Sequence, residues 1–495
     1  MAELPPDIPG DRLRTWLSQT PEKALDPEQP IIDPHHHLWD RRPRPELPDA
    51  DRQHLRYLAD DLMEDIRDGG HNVFNTVFVE CRSMYRANNN ALDPLGETEF
   101  VQGIAAMASS NLYGEKTRCC GAIISFADLT KGSEIEPLLR AHIAASPNFR
   151  GIRHAHTWHA SDEIPNSHHP THEIPNLLTR DDFREGFRVV DRLGLTFDSW
   201  GYHTQLHEVE DLARTFPNTT FIIDHIGGPV AMGPLASQRD SAVFEAWEKA
   251  IQSTAQCPNI FIKVGGFGMP SYGWGYSSEE SPPTSLVMAT AWLPYVRSLV
   301  ESFGVDKLMF ESNFPVDKVS CSYTSLWNAF KRISKELGLS RTEKNEMFYG
   351  AAARAYRIPL ENHLQNALTE TSVRTTSRYQ HAMDLLDCFQ EARYDDMLSY
   401  FSENAITIQH FGPYAGKENL VTRKTVAFMK KHNPPCNYTN RRQVFAHDRL
   451  IEQHTVTWPS VAERSSQSIE TVIIFYLDNQ GKVMRLEEYG DPATL

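Results

Sequence analysis

His35 and His37 stand two residues apart at the end of the run Ile31-Ile32-Asp33-Pro34-His35-His36-His37-Leu38-Trp39. Side chains on a strand alternate faces, so Asp33, His35 and His37 are expected on one face and His36 on the other. Two imidazoles side by side at a strand end are a natural start for a metal site. The same pattern also suits a polar strand end whose histidines face solvent. A metal site needs further ligands, carried by other elements in a fixed order.

Such elements are present. Strand-like runs recur at 72–80, 121–127, 149–154, 195–200, 220–225, 259–264 and 307–313, with helical spacing between them. With the first run they make eight β/α units over residues 31–358, which predicts an α/β fold of the (β/α)8 TIM-barrel type. An open doubly wound sheet would call for a Gly-rich phosphate loop after its first strand, where this chain has three histidines. Residues 1–30, rich in Pro and charge, read as a surface arm, and 359–372 as a linker. Residues 373–495 follow another pattern. Helices are expected at 380–392, 395–401 and 417–432, with a strand at 405–410. Two long β runs follow at 436–458 and 467–489, the second broken by a turn at 478–481. This predicts a smaller α+β domain.

Chemistry in such a barrel sits at the C-terminal ends of its strands. The polar residues there are Asp33, His35, His37, Glu80, Arg153, Asp198, His225, Lys263, Glu311 and Asn313. Lys263 and Glu311 interrupt apolar strands and should point inward, and Glu311 and Asn313 share a face. Charged groups are rarely buried unless paired, so a network of His, Arg, Lys and carboxylates is expected in the mouth, as structural pairs or as catalytic machinery. Arg153, Lys263, Asp198 and Trp200 are the candidates for holding substrate. The long loop from Ala155 to Leu178 carries His156, His159, His168, His169 and His172 and reads as a lid or as a solvated loop, with no metal assigned to it.

A formal charge of −16 argues against nucleic acid as a partner, since phosphate binding needs a basic face, and leaves a small molecule as the expected substrate. Seven cysteines include no C-x-x-C pair. Cys119 and Cys120 are adjacent and should face opposite ways on a strand; the thiols read as buried and reduced. The first residues lack the pattern of a signal peptide, and no apolar run is long enough to span a bilayer, so a cytoplasmic protein is expected.

Eight segments carry a resemblance: Ile32–Trp39, Val79–Cys81, Gly96–Phe100, Arg150–Arg153, Asp224–Pro229, Lys263–Gly266, Phe310–Asp317 and Ala351–Tyr356. Together they resemble the amidohydrolase superfamily, in its amidohydrolase-related (family 2) branch of metal-dependent barrel hydrolases. That branch includes sugar-acid lactonases, lactonases of aromatic-acid breakdown and related decarboxylases. The resemblance implies His35, His37 and His225 as metal ligands, or as substrate ligands in members that need no metal. It implies Arg153 as a contact to a substrate carboxylate. Asn313 stands where the superfamily usually has an aspartate that binds metal and takes a proton from water, and an amide cannot be a general base. No histidine lies within the fifth strand (His203 is just past it), and no bridging lysine on the fourth. One divalent ion, zinc or manganese, or none, is therefore expected. Glu311 is the leading candidate for general base, then Glu80, with Asp317 further off and His225 beside them.

The second domain resembles the ketosteroid-isomerase-like (SnoaL-like, polyketide-cyclase-like) cone fold. His410 and Asp491 are its polar candidates; the alternative is a homodimerisation or lid role. The expected function is a hydrolase opening a lactone or similar cyclic ester of a small carboxylated or polyketide-like molecule. A metal-assisted decarboxylase and a non-catalytic ligand-binding barrel are the alternatives.

Overall fold

Eight parallel strands follow one another in sequence order around the first sheet: β1 Pro30–His36, β2 Asn72–Val79, β3 Arg118–Ser125, β4 Phe149–Ala155, β5 Thr196–Trp200, β6 Phe221–Ile223, β7 Ile260–Val264 and β8 Leu308–Phe310. Just past β8 the ring closes on β1: Asn313 N–H donates to His35 C=O at 2.9 Å, and His37 N–H to Phe314 C=O at 2.8 Å. The computed structural model describes residues 10–41, 56–88, 90–166, 174–369, 377–391, 393–410, 415–432, 437–446, 449–458, 467–478 and 482–490. The chain divides into two units, Met1–Glu370 and Thr371–Leu495.

Period-two alternation builds the barrel wall. Ile32, Val77, Val79, Ala122, Ile124, Ile222, Phe261 and Met309 pack together inside, with Tyr349 and Tyr356 from the last helical segments. Their neighbours Ile31, Phe78, Ile123, Phe221, Ile223, Ile260, Ile262, Leu308 and Phe310 face outward into the helix-covered core. The same parity continues upward, so the position two residues beyond an inward apolar residue also points in. That rule places Asp224 after Ile222, Lys263 after Phe261 and Glu311 after Met309.

Alternation breaks in β1, whose pairing with β2 shifts between Asp33 and His36. Asp33 accordingly leaves the expected shared face. It accepts from Tyr323 Oη at 2.9 Å and from Ser312 N–H at 2.9 Å, outside the mouth. The arm also differs from a bare surface segment. It contains a helix at Gly10–Leu17, whose Leu13 is buried.

The second unit is a six-stranded mixed sheet with helices Ser377–Glu391 and Arg423–His432. Its strands are β9 Phe401–Gln409, β10 Glu418–Leu420, β11 Asn437–Ala446, β12 Arg449–Trp458, β13 Gln467–Leu477 and β14 Val483–Gly490, in the order β10-β9-β14-β13-β12-β11. Leu385 and Leu386 pack on Leu450, Ile473, Phe475 and Leu486. Three boundaries differ from expectation. The run 395–401 gives only a 3-10 turn at Met397–Tyr400. The run 417–432 opens as a strand, because residues 418–420 pair with Ile406–Ile408 before the helix begins. The run 436–458 is two antiparallel strands.

Candidate active site

The mouth of the barrel is a closed set of ion pairs with three histidines above it. Glu311 is the hub. Its Oε1 lies 2.7 Å from His225 Nδ1, and its Oε2 lies 2.9 Å from His35 Nδ1. An ionised carboxylate only accepts, so His225 Nδ1 carries the proton; His35 Nδ1 lies also 3.2 Å from Lys263 Nζ, which can only donate. His37 Nδ1 faces the Val79 carbonyl at 2.8 Å, which fixes the same tautomer. His37 Nε2 is left with a lone pair, and it lies 3.2 Å from His35 Nε2. Burial keeps both imidazoles neutral: the His35 pKa is lowered by desolvation and then by Lys263, and that of His37 is driven well below its usual value by desolvation and then by His35.

Below them lie the charges. Lys263 Nζ donates to Asp198 Oδ2 at 2.7 Å and stands 2.9 Å from Asp224 Oδ1. Arg153 donates from Nε to Glu80 at 2.9 Å, from one terminal nitrogen to the Glu80 carbonyl at 2.5 Å, and from the other to Asp224 at 3.4 Å. Tyr356 Oη donates to Asp198 Oδ2 at 2.7 Å. Four buried carboxylates, Glu80, Asp198, Asp224 and Glu311, thus face two buried cations. The surplus is two negative charges, the charge a divalent ion would balance.

The donor chemistry fits such an ion. His35, Asp224 and His225 each place one donor atom within 4.8 Å of the others. Two nitrogens 3.2 Å apart match neighbouring ligands on one ion at roughly 2.0–2.1 Å from each. Glu311 then acts as the partner that fixes the His225 tautomer and orients its ring.

The surroundings of Glu311 and Arg153 bear on their expected roles. Glu311 was the leading candidate for general base. Burial pushes its pKa up, but His225 and then His35 pull it down to about 2. A carboxylate so acidic is a poor proton acceptor near neutrality. Arg153 was expected to meet a substrate carboxylate, yet all three of its guanidinium nitrogens are already committed to Glu80 and Asp224. It holds the site's own carboxylates in place.

Asn313 has φ +54 and donates from Nδ2 to Asp317 Oδ1 at 2.8 Å. Gly268 N–H donates to Asp317 Oδ2 at 2.8 Å. A Cβ on Gly268 would stand 2.8 Å from Asp317 Cγ, so only glycine allows this approach. Burial raises the Asp317 carboxyl to about 7, the range suited to proton transfer at neutral pH. Asn313 Oδ1 is buried with no hydrogen-bond partner among the described residues. Trp200 sets its ring edge-on to His225, centroids 4.9 Å apart, and Trp39 stacks on His37.

Asp224 and Tyr356 are the site residues that sequence reasoning missed. The signal for Asp224 was present: it lies two residues past inward Ile222. Tyr356 carried no such signal, because its contact is made between sequence-distant elements. In the lid loop His156 is buried and bonded to Ser199 Oγ at 2.8 Å. His203 bonds the Gly228 carbonyl. His168, His169 and His172 lie outside the described residues. In the second unit His410 is exposed, stacked on Tyr489 at 4.1 Å and 3.7 Å from Glu487. Asp491 lies outside the described residues. A buried pair there escaped notice: His454 Nδ1 lies 3.0 Å from Glu452 Oε1.

The amidohydrolase family model matches residues 32–358, most of the first unit. The chain belongs to the amidohydrolase family. It is a hydrolase. The uncharacterised protein y4mH of Sinorhizobium fredii is 32% identical over 339 residues, covering 66% of this chain and 98% of its own length. The L-fucono-1,5-lactonase of Burkholderia ambifaria is 26% identical over 343 residues, covering 68% of this chain and 98% of its own. Among solved structures, an amidohydrolase of Burkholderia multivorans with bound zinc covers 66% of this chain and 99% of its own at 19% identity and a TM-score of 0.48. A structure described as a SnoaL-like polyketide cyclase from Shewanella putrefaciens covers 26% of this chain and 89% of its own at 13% identity and a TM-score of 0.23. Among the described residues, no helix is long and apolar enough to cross a membrane.

Proposed function

We propose that this amidohydrolase opens a lactone or similar cyclic ester of a small carboxylated or polyketide-like molecule. The observation that carries the reading is a pairing in the barrel mouth. Two neutral imidazoles, His35 and His37, present Nε2 atoms 3.2 Å apart. Asp317, a carboxyl with a pKa near 7, hangs from Asn313 at the end of β8. His35, His37 and His225 would hold a divalent ion, zinc or manganese, with Asp224 beside them. Such an ion, when bound, supplies a Lewis acid that polarises the ring carbonyl. Asp317 takes the proton from the attacking water and returns it to the ring oxygen as the C–O bond breaks. Asn313 orients Asp317, as the chain's replacement for an aspartate at its own position. Trp200 and Trp39 line the path of the ring, and Arg153 and Lys263 keep the four carboxylates from repelling one another. The name of the Burkholderia ambifaria relative supports the lactone as the substrate class.

The test is ring-opening of a panel of sugar-acid 1,5-lactones and carboxylated aromatic lactones, followed by acid release with zinc or manganese present. Wild type should open at least one class, and Asp317→Asn and His35→Ala/His37→Ala should not. Failure on every lactone, or turnover indifferent to both variants, sinks the proposal. Asn313 favours one second reading, a metal-assisted decarboxylase, since loss of carbon dioxide needs no hydrolytic base. Product mass separates the two, as water gained or carbon dioxide lost.

A further inference from the structure

Cys119 and Cys120 are neighbours in β3, where strict alternation would send their thiols to opposite faces. The structure overturns that expectation. Cys120 has φ +59, and β2 and β3 lose register between Asn75 and Val77. The two sulfurs come to 3.5 Å of each other. A left-handed conformation at a non-glycine residue is strained, and it persists only where the surroundings over-determine it.

The surroundings here are specific. His36 faces away from His35 and His37, out of the barrel mouth, and its Nε2 lies 4.0 Å from Cys120 Sγ. Thr76 Oγ1 ties the two elements together. It accepts the Cys120 N–H at 2.9 Å and lies 2.9 Å from His36 Nε2. All three side chains are at most 1% exposed, and one donor atom from each lies within 4.8 Å of the others. His36 Nδ1 has no hydrogen-bond partner among the described residues. Two sulfurs and an imidazole are a soft donor set, suited to zinc or copper(I). Sulfurs 3.5 Å apart can both reach one ion at roughly 2.3 Å.

We propose that His36, Cys119 and Cys120 form a binding site for one soft, thiol-seeking cation of the zinc or copper(I) type, on the outer side of β1 and β3 and separate from the catalytic mouth. Binding replaces the two thiol protons, which leave to solvent, and turns the strained Cys120 backbone into part of a chelate. This inference does not rest on the lactonase reading.

The experiment uses full-length protein, reduced, stripped with chelator and titrated with cadmium(II). Thiolate ligands give an ultraviolet charge-transfer absorption that the imidazoles and carboxylates of the mouth do not. The band should saturate near one equivalent per chain and persist in His35→Ala/His37→Ala. It should vanish in Cys119→Ala/Cys120→Ala and need at least tenfold more cadmium in His36→Ala. Absence of the band in folded wild type, or a band unchanged in the double cysteine variant, overturns the proposal. Should the cysteine variant fail to fold, X-ray absorption of the cadmium-loaded wild type decides. Two sulfurs and one nitrogen on one ion support the site; a shell of nitrogen and oxygen alone overturns it.

Discussion

Asn313 Nδ2 donates to Asp317 Oδ1 at 2.8 Å, so the amide at the end of β8 carries a carboxyl four residues further on. Burial raises that carboxyl to about 7, while the Gly268 N–H and the Asn313 amide pull the other way. A base works only when deprotonated, so activity should rise with pH through about 7 and level off above it. Asp317→Asn should lower kcat by at least about 100-fold and abolish that rising limb. Asn313→Asp places a second carboxyl against the first, which disfavours ionisation and should move the limb to higher pH. A pH profile of kcat/KM for the three proteins checks both. A limb unmoved in Asn313→Asp would show that Asp317 is not the titrating group.

Glu311 fixes the Nδ1–H tautomer of His225 at 2.7 Å and sets its other oxygen 2.9 Å from His35 Nδ1. Glu311→Gln keeps the shape but removes the negative charge and one of the two acceptor oxygens. Partners of this kind typically cost 10–100-fold in metal affinity when removed. Zinc binding measured by competition with a chelating dye should weaken by about that much. Unchanged affinity would place the ion away from His35 and His225.

The barrel was legible because its signals are local. Each strand announces itself as a β-rich run, and the inward parity of Phe261 and Met309 carries Lys263 and Glu311 into the mouth. Three things were not legible. The slip in β1 diverts Asp33 to Tyr323, and only the pairing with β2 reveals it. The φ of +59 at Cys120 reverses a thiol that alternation sends the other way. The division of labour among the carboxylates depends on distances between β5, β6, β7 and β8. Sequence ranks Glu311 as the base by its position on a strand, whereas the two imidazoles beside it, which only the fold brings there, hold its carboxyl low.

Glu97 lies buried next to the mouth. Its Oε1 accepts from Cys81 N–H at 3.0 Å and Ser83 N–H at 2.7 Å, while Oε2 has no hydrogen-bond partner among the described residues. Desolvation, and then Glu80, push its pKa up to about 8. An acid whose folded pKa exceeds its unfolded value binds protons more tightly when folded. Its stabilisation is complete below the unfolded value near 4.5 and is lost as pH rises to about 8. Glu97 therefore contributes less to stability at pH 9 than at pH 5. Glu97→Gln removes the ionisation and should raise the melting temperature at pH 9 while changing it little at pH 5. The difference should be on the order of a few kcal/mol. Equal shifts at both pH values would mean that Glu97 is ionised throughout.

Gly266 follows β7 with φ +69, and a Cβ there would stand 2.6 Å from His225 Cβ. His225 is itself at φ +53, so two left-handed residues meet just past the neighbouring strands β6 and β7. An alanine at 266 would pay roughly 1–2 kcal/mol for its backbone conformation. It would also push His225, whose Nδ1 is fixed at 2.7 Å from Glu311 and cannot yield without breaking that bond. Gly266→Ala should therefore lose more metal affinity than its loss of stability explains. Gly273→Ala supplies a comparison, since Gly273 has φ +71 but its Cβ would meet the Ala231 carbonyl, away from the histidines. Thermal midpoints of both variants should fall, and zinc affinity should fall only in Gly266→Ala. Equal loss of affinity in both would show that the mouth responds to general loosening, and that His225 is not held by this contact.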